Sequence, residues 1–261
     1  MRSRHCLTAP FTPPQPSAPH RPGPMVHPAL AAAAALCGLA VGLATNRLLA
    51  ERRYAEAAAR RGTWGAAPRD GRPRGLWLAS PLLLAAASVG LALLPGLERP
   101  LALSQALLLV YLLYPLALVD ATTLTVEPAL VLGGIVLRMA TVLALQREAA
   151  VDAFGGLLAG AGLLALVAFA YAWVRGREGL GEGDPAMLGL VGAFVGWQGL
   201  LPVVLLATAA GLIGGVAALL LLRKPLDTPL PFGPYLCAGG LAVYLAQAQG
   251  WLLFGAQPGL G

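Results

Sequence analysis

The chain has 261 residues, of which 57% are hydrophobic and only 11% are charged, and its formal net charge is +6. Soluble domains contain about 25% charged residues, so this composition indicates a membrane protein and excludes an ordinary soluble domain. Eight arginines fall between Arg47 and Arg74. Because the basic residues are concentrated in one loop, the positive charge does not indicate nucleic-acid binding.

The residue types that are scarce narrow the chemistry further. All three histidines precede residue 28, so the body of the chain has none for a Ser/His/Asp triad or a histidine metal site. The cysteines Cys6, Cys37 and Cys237 form no CxxC pair, which argues against a zinc site and a disulfide framework. Cys37 and Cys237 lie in apolar context and are interpreted as packing residues. We therefore expect no metal and no cofactor.

In chain order, residues 1–27 are rich in Pro and Arg. They predict a disordered tail or, equally well, a segment that precedes a true start at Met25. Hydrophobic segments follow, and most approach the roughly 20 residues that a helix needs to cross a bilayer. There are eight of them: 28–49, 76–94, 101–119, 129–145, 154–174, 186–197, 200–222 and 233–249.

The sixth segment is too short to span alone. It could be a partial span buried among its neighbours, or residues 186–222 could form one long tilted helix. A split at Gln198-Gly199 is favoured because Pro202 follows it. The pattern as a whole predicts an all-α polytopic membrane helix bundle of about eight transmembrane segments, one of them short or broken. We divide it into an N-terminal membrane region (28–99) with a basic cytoplasmic loop, a membrane domain (100–250) and a tail (251–261).

The distribution of Lys and Arg predicts the orientation of the bundle. With alternating spans, one side receives the loops 47–75, 120–128, 175–186 and 223–232, which hold twelve of the eighteen Lys and Arg residues. Loops rich in Lys and Arg face the cytoplasm. Asp120 and Asp184 are therefore both expected at the cytoplasmic ends of their spans.

These two aspartates are the candidate functional residues. Asp120 closes the third segment, and Asp184 ends the sequence Gly181-Glu182-Gly183-Asp184 before the sixth. Ionisable groups at membrane depth are costly and usually functional. Two carboxylates brought to one site can share a proton and activate water. As alternatives, Asp184 could be a helix N-cap with Pro185 as the first helical residue, and Asp120 could simply end a helix.

A third motif opens the last segment on the same predicted side, and it reads Pro231-Phe232-Gly233-Pro234. Taken together with the Gly-x-Gly-Asp sequence and with Leu116 to Asp120, it resembles the type IV prepilin peptidases, a family of GxGD intramembrane aspartic proteases. The resemblance is clearest from about Gly176 to Tyr244. It implies that Asp120 and Asp184 are catalytic. It also implies that the motif and substrate-approach residues are Gly181, Gly183, Pro231, Phe232, Gly233 and Pro234.

The chain departs from the family pattern at three places. Ala186 occupies the position where the family usually has lysine, and Glu127-Pro128 stands where the family usually has Pro followed by Asp or Asn. Many full-length members carry two CxxC pairs in the first cytoplasmic loop, in a region linked to N-methylation of the product, but residues 50–75 contain no cysteine. The resemblance thus implies a peptidase without methyltransferase activity.

The implied substrate is a prepilin or pseudopilin precursor, cut where its basic leader joins an apolar helix. The implied location is the bacterial inner membrane, with the lipid bilayer as the other partner and the aspartates near the cytoplasmic face. Two alternatives remain open. One is a catalytically degenerate scaffold of the same fold, which the absent lysine motivates. The other is a transporter that uses Asp120 and Asp184, with Arg138 in mid-span, as ion or proton ligands.

Overall fold

The computed structural model describes residues 28–61, 74–94, 97, 100–176, 181, 183–221 and 231–251. The predictions for the N-terminal tail, for the middle of the basic loop and for residues 252–261 lie outside this range. Seven α-helices and one short 3-10 turn, Arg147–Ala149, make up the described chain. The helices are α1 Pro28–Arg61, α2 Arg74–Ala92, α3 Pro100–Thr123, α4 Pro128–Leu145, α5 Ala150–Arg175, α6 Asp184–Leu220 and α7 Gly233–Ala248.

Five of these helices, α1 and α3 to α6, are long and apolar enough to cross a membrane. The described residues include no strand. The predicted all-α polytopic membrane bundle is confirmed. The first helix is longer than its apolar segment, since α1 continues to Arg61. Residues 51–61 are mostly Ala, Glu and Arg, which are strong helix formers, so the helix continues where the hydrophobic pattern ends.

α1 and α2 form a hairpin that docks on α3 through apolar side chains and the Tyr111 hydroxyl. Gly38 packs against Ser88, and Gly42 packs against Pro81. The Tyr111 hydroxyl of α3 donates to the Ala34 carbonyl at 2.9 Å and lies 3.1 Å from the Ser88 hydroxyl. These contacts attach the N-terminal hairpin to the remaining helices.

α6 contains a sharp break at Gly196, whose φ of 73° and ψ of 171° are not helical. This region of backbone space is essentially restricted to glycine. The break divides α6 into a short arm, residues 184–195, and a long arm, residues 197–220. The predicted split is therefore confirmed, and the alternative of one long tilted helix is wrong. The break falls at Gly196, whose lack of a Cβ allows this conformation at low cost, and not at Gln198-Gly199.

From the break at Gly196, both arms of α6 extend along α7 toward its first residue. Near the end of α7, Gln247 contacts Val195 and Gly199, the residues that flank the break. Farther toward the start of α7, Val191 of the short arm packs on Gly240, and Val203 of the long arm packs on Gly239. The two arms are therefore antiparallel, and α6 is a helical hairpin.

The short arm is a partial span. At 1.5 Å per residue it is about 18 Å long, whereas the hydrocarbon core of a bilayer is about 30 Å thick. Every residue from Met187 to Gly196 is buried, as expected for a helix enclosed by its neighbours. Its first residue, Asp184, therefore lies inside the bundle rather than in a surface loop.

The short arm packs against α5 through glycines. Gly156 meets the backbone of Gly192, and Gly160 meets the backbone of Leu188. Small residues at such positions allow helix backbones to approach closely in membranes. Gly156 and Gly160 therefore serve close helix packing.

This packing predicts the effect of adding one methyl group. A Cβ at position 156 would collide with the backbone of Gly192, whereas a Cβ at Gly162 of the same helix meets nothing within 4 Å. We expect Gly156→Ala to lower the free energy of unfolding by about 1–3 kcal/mol. Gly162→Ala should be neutral or slightly stabilising, since alanine is the better helix former. Thermal unfolding in detergent compares the two, and equal stabilities would contradict the packing described here.

Candidate active site

Asp120 lies in the last turn of α3 with only 6% of its surface exposed. Its Oδ2 atom accepts a hydrogen bond from the Gly233 backbone N–H at 2.9 Å. Gly233 is the first residue of α7, and Pro234 follows it in the first turn. The first N–H groups of a helix have no partner within the helix and favour negative charge. The α7 N-terminus therefore supplies a donor to a carboxylate that has little contact with solvent.

Position 233 requires glycine for a steric reason. A Cβ there would lie 2.5 Å from Asp120 Oδ2 and 3.1 Å from the Met187 methyl group. The residues on either side complete the turn, since Phe232 is the N-cap of α7 and its carbonyl accepts the N–H groups of Tyr235 and Leu236. Pro231 and Phe232 are half-buried. This segment thus places a single N–H against Asp120.

Asp184 is the first residue of the short arm and is 5% exposed. Its Oδ2 atom accepts the Gly181 N–H at 3.2 Å, and its own N–H donates to the Gly181 carbonyl at 3.1 Å. The N-cap residue is Gly183, and no side chain caps the helix. The N-cap alternative for Asp184 is therefore wrong, because the carboxylate faces the preceding turn instead of the first turn of its helix.

Two contacts bring the helices that carry the aspartates together. Val126, in the turn after α3, packs directly on Gly183, and Met187 of the short arm packs on Gly233. The turn after α3 is tight, since Leu124 has a positive φ of 56° and its N–H donates to the Asp120 carbonyl at 2.9 Å. Positive φ is uncommon outside glycine. No residue pattern in the sequence predicts this turn.

The two carboxylates lie near one another and near the Cys237 thiol. Cys237 is buried and lies one helical turn after Gly233 on α7, on the same face. Packing alone had been predicted for it. Its spacing from Gly233 was the signal that could have placed it beside the aspartates. Among the described residues, no group of three or more His, Cys, Asp or Glu side chains is arranged to hold a metal ion.

Of the other aspartates and of the positions near the motifs, the structure describes Ala186 and Asp152. Ala186 is exposed, so a longer side chain could be accommodated there. Glu182 and Asp227 lie outside the described residues. Asp152 lies in the first turn of α5, at the other end of the short arm, because α5 runs antiparallel to that arm. The structure thus separates Asp152 from the pair formed by Asp120 and Asp184.

These features define a class of protein: a polytopic helical membrane protein with two buried carboxylates, each held by a glycine N–H, where three helix ends meet. Residues 107–216 match the model of the type IV leader peptidase family. That range includes both aspartates and ends before Gly233. The predicted resemblance to the prepilin peptidase family is confirmed.

Curated relatives of the chain are also named as leader peptidases. The chain is 34% identical over 166 residues to the prepilin leader peptidase/N-methyltransferase of Dickeya chrysanthemi, covering 61% of this chain and 57% of that protein. It is 40% identical over 100 residues to the protein of the same name from Burkholderia pseudomallei strain 1026b, covering 38% of this chain and 32% of that one. The chain thus spans between about a third and somewhat over half of the length of these relatives. No solved structure matches it significantly.

The contact between Gly233 and Asp120 can be tested with a double-mutant cycle. Gly233→Ala should lower the free energy of unfolding by about 1–3 kcal/mol, since its methyl group meets the Asp120 carboxylate. In the Asp120→Ala background the methyl group has room, and the same change should cost at least about 1 kcal/mol less. Chemical unfolding in detergent measures all four proteins.

Gly211→Ala is the matched control, because a Cβ there makes only ordinary contacts at 3.6 Å or more. It should behave alike in both backgrounds. Additive costs for Gly233→Ala and Asp120→Ala would contradict the geometry.

Proposed function

We propose that this chain is a membrane-embedded aspartic endopeptidase that removes the leader of type IV prepilins or pseudopilins at the cytoplasmic membrane interface. The observation that carries the proposal is that Asp120 and Asp184 are both buried at helix ends joined by the Val126–Gly183 and Met187–Gly233 contacts, inside a segment that matches type IV leader peptidases. The names of the curated relatives support a peptidase and a prepilin substrate. We assign the peptidase to residues 100–250.

The proposed reaction is hydrolysis by a pair of carboxylates that share one proton. The ionised member takes a proton from a water molecule, whose oxygen attacks the carbon of the scissile carbonyl. The protonated member donates a hydrogen bond to the carbonyl oxygen, where negative charge develops. As the intermediate collapses, the C–N bond breaks and the leaving nitrogen takes up a proton. The products are a carboxylic acid and an amine.

The glycines of the site suit an extended peptide substrate. Gly181 and Gly233 already place backbone N–H groups at the two carboxylates, and no side chain on either glycine obstructs the approach of another backbone. Pro231, Phe232, Gly233 and Pro234 form the wall beside Asp120. We propose that the substrate chain passes along this wall and the turn of Gly181 and Gly183.

The proposed depth of the cut follows from two observations. The Lys and Arg bias of the loops favours a cytoplasmic location for the end of the bundle that holds the aspartates. The short arm is about 18 Å long, which is shorter than the hydrocarbon core, and Asp184 at its start is buried in the bundle. A junction between a basic leader and an apolar helix would reach this site from the cytoplasmic side of a bacterial inner membrane.

We further propose that the chain does not methylate its product. The curated relatives are named as N-methyltransferases as well as peptidases, but residues 50–75 of this chain contain no cysteine. The expected product therefore carries an unmodified N-terminus. Incubation with S-adenosylmethionine followed by mass spectrometry of the processed peptide checks this. A mass increase of one methyl group would contradict it.

A second candidate is a degenerate scaffold, which Ala186 in place of the usual lysine favours. Because Ala186 is exposed, Ala186→Lys can restore the family residue without overpacking. Cleavage by the Ala186→Lys variant but not by the wild type would favour the scaffold. The transporter alternative gains less support, since Arg138 contacts the opposite end of the short arm through Ala193.

The aspartic mechanism predicts that Asp120→Asn and Asp184→Asn each lower the rate of cleavage of a prepilin-like peptide by at least about 10²–10⁴-fold, the usual contribution of a general acid or base. The level of each variant in the membrane should match the wild type, because asparagine keeps the shape of the side chain. Purified protein in detergent and a peptide spanning the leader junction provide the assay.

Asp152→Asn is the matched control, since Asp152 only occupies the first turn of α5, where a carboxylate typically contributes 0.3–1 kcal/mol of stability. It should cleave at the wild-type rate. Retained cleavage in both Asp120→Asn and Asp184→Asn would overturn the aspartic mechanism.

A further inference from the structure

A cluster of buried polar side chains surrounds the end of the short arm that lies opposite Asp184. It comprises Arg138 of α4, Gln146 just after α4, Gln105 of α3 and Gln247 of α7, and none of the four is more than 6% exposed. Arg138 has no exposed surface at all. A fully buried cation inside a membrane bundle is costly unless its contacts compensate it.

Two members of this polar cluster donate hydrogen bonds to the last carbonyls of the short arm. Arg138 Nε donates to the Ala193 carbonyl at 3.0 Å, and Gln247 Nε2 donates to the Val195 carbonyl at 3.0 Å. The guanidinium also lies 4.8 Å from the centre of the Phe194 ring. The C-terminal end of a helix is its negative end and favours a cation. Arg138 is thus a charged cap on the short arm.

The other two members hold Arg138 in place. Arg138 NH1 donates to Gln146 Oε1 at 3.3 Å, and Gln105 Nε2 donates to the same oxygen at 2.6 Å. The fork of the guanidinium allows it to reach Ala193 and Gln146 together, which a lysine cannot do. The cluster therefore connects α3, α4 and α7 to the C-terminal end of the short arm.

The C-terminal end of the short arm controls the position of Asp184 at its other end. Ala193 lies about 13.5 Å along the helix axis from Asp184, so a tilt of about 5° at Ala193 would move Asp184 by about 1.2 Å. A misplacement of 1 Å at a catalytic group can cost about 10²-fold in rate. The C-terminal end of the short arm must therefore be held in place for any chemistry that Asp184 performs with Asp120.

We propose that Arg138, supported by Gln247, is a positioning residue that holds the Asp184 arm in its reactive orientation. The catalytic part of this proposal rests on the proposed peptidase function. Its structural part, the anchoring of the arm, does not. The experiment uses Arg138→Met and Arg138→Lys together with Gln247→Met, which removes the second anchor. Gln247 Oε1 is buried without a protein partner among the described residues, so the Gln247→Met change should not impair folding.

Arg147→Met is the matched control. Arg147 also donates to a carbonyl near a helix end, that of Leu143 at 3.2 Å, but the contact is exposed and lies outside the cluster. Two readouts are measured on full-length protein in detergent. The first is kcat and KM for a prepilin-like peptide, and the second is amide hydrogen exchange in residues 184–196.

We expect Arg138→Met to lower kcat by about 10- to 100-fold, with KM changed by less than about 2-fold, because the arm is misplaced but the substrate contacts remain. Exchange in residues 184–196 should accelerate. Arg138→Lys should fall between the wild type and Arg138→Met, Gln247→Met should show the same effects more weakly, and Arg147→Met should match the wild type.

Unchanged kcat and unchanged exchange in Arg138→Met would overturn the proposal. If that variant does not reach the membrane, Gln247→Met decides in its place by the same criteria. Should the wild type itself fail to cleave the peptide, the peptidase function is contradicted and hydrogen exchange alone decides whether the arm is anchored. Faster exchange with an unchanged kcat would show an anchor without a positioning role and would overturn the catalytic part.

Discussion

The hydrogen bond from the Gly233 N–H to the Asp120 carboxylate is the interaction on which the site depends. Inside a bilayer, water is not freely available to satisfy a carboxylate or a helix N-terminus, so each must find its partner in the protein. One contact at 2.9 Å serves both groups. It fixes where α7 begins relative to α3, and Met187 then places the short arm against the same glycine. Three helix ends meet at Gly233 because the position has no side chain.

The reversal at Gly196 explains how a carboxylate reaches the interior of the bundle. An arm of about 18 Å is shorter than the hydrocarbon core, and it begins at Asp184 with only 5% of that residue exposed. The long arm then returns along α7, and the enclosed arm contacts both α5 and α7. Glycines at Gly156 and Gly160 permit the close approach that this enclosure requires.

Much of the fold and of the candidate pair could be predicted from the sequence, because hydropathy and the Lys and Arg bias are local signals. Those signals identified the spans and placed Asp120 and Asp184 on one side. The details that depend on three-dimensional packing could not be predicted. A break at Gly196 rather than three residues later, the turn at Leu124 and the orientation of Asp184 away from its own helix all require knowledge of neighbouring helices. Arg138 was recognised as unusual, but nothing in its sequence context identifies Ala193, fifty-five positions away, as its acceptor.

A carboxylate lies at one end of the short arm and a guanidinium contacts the other end, and this arrangement has a physical reason. A buried helix of this length has a dipole that water screens poorly, so its ends need compensation from the protein. Asp184 lies at the positive end, and Arg138 from α4 caps the negative end. The same carboxylate that compensates the helix is the candidate catalytic group. Its burial cost is therefore partly offset by the helix that presents it, and the arm can hold an acidic side chain inside a membrane bundle without a cation directly beside it among the contacts described.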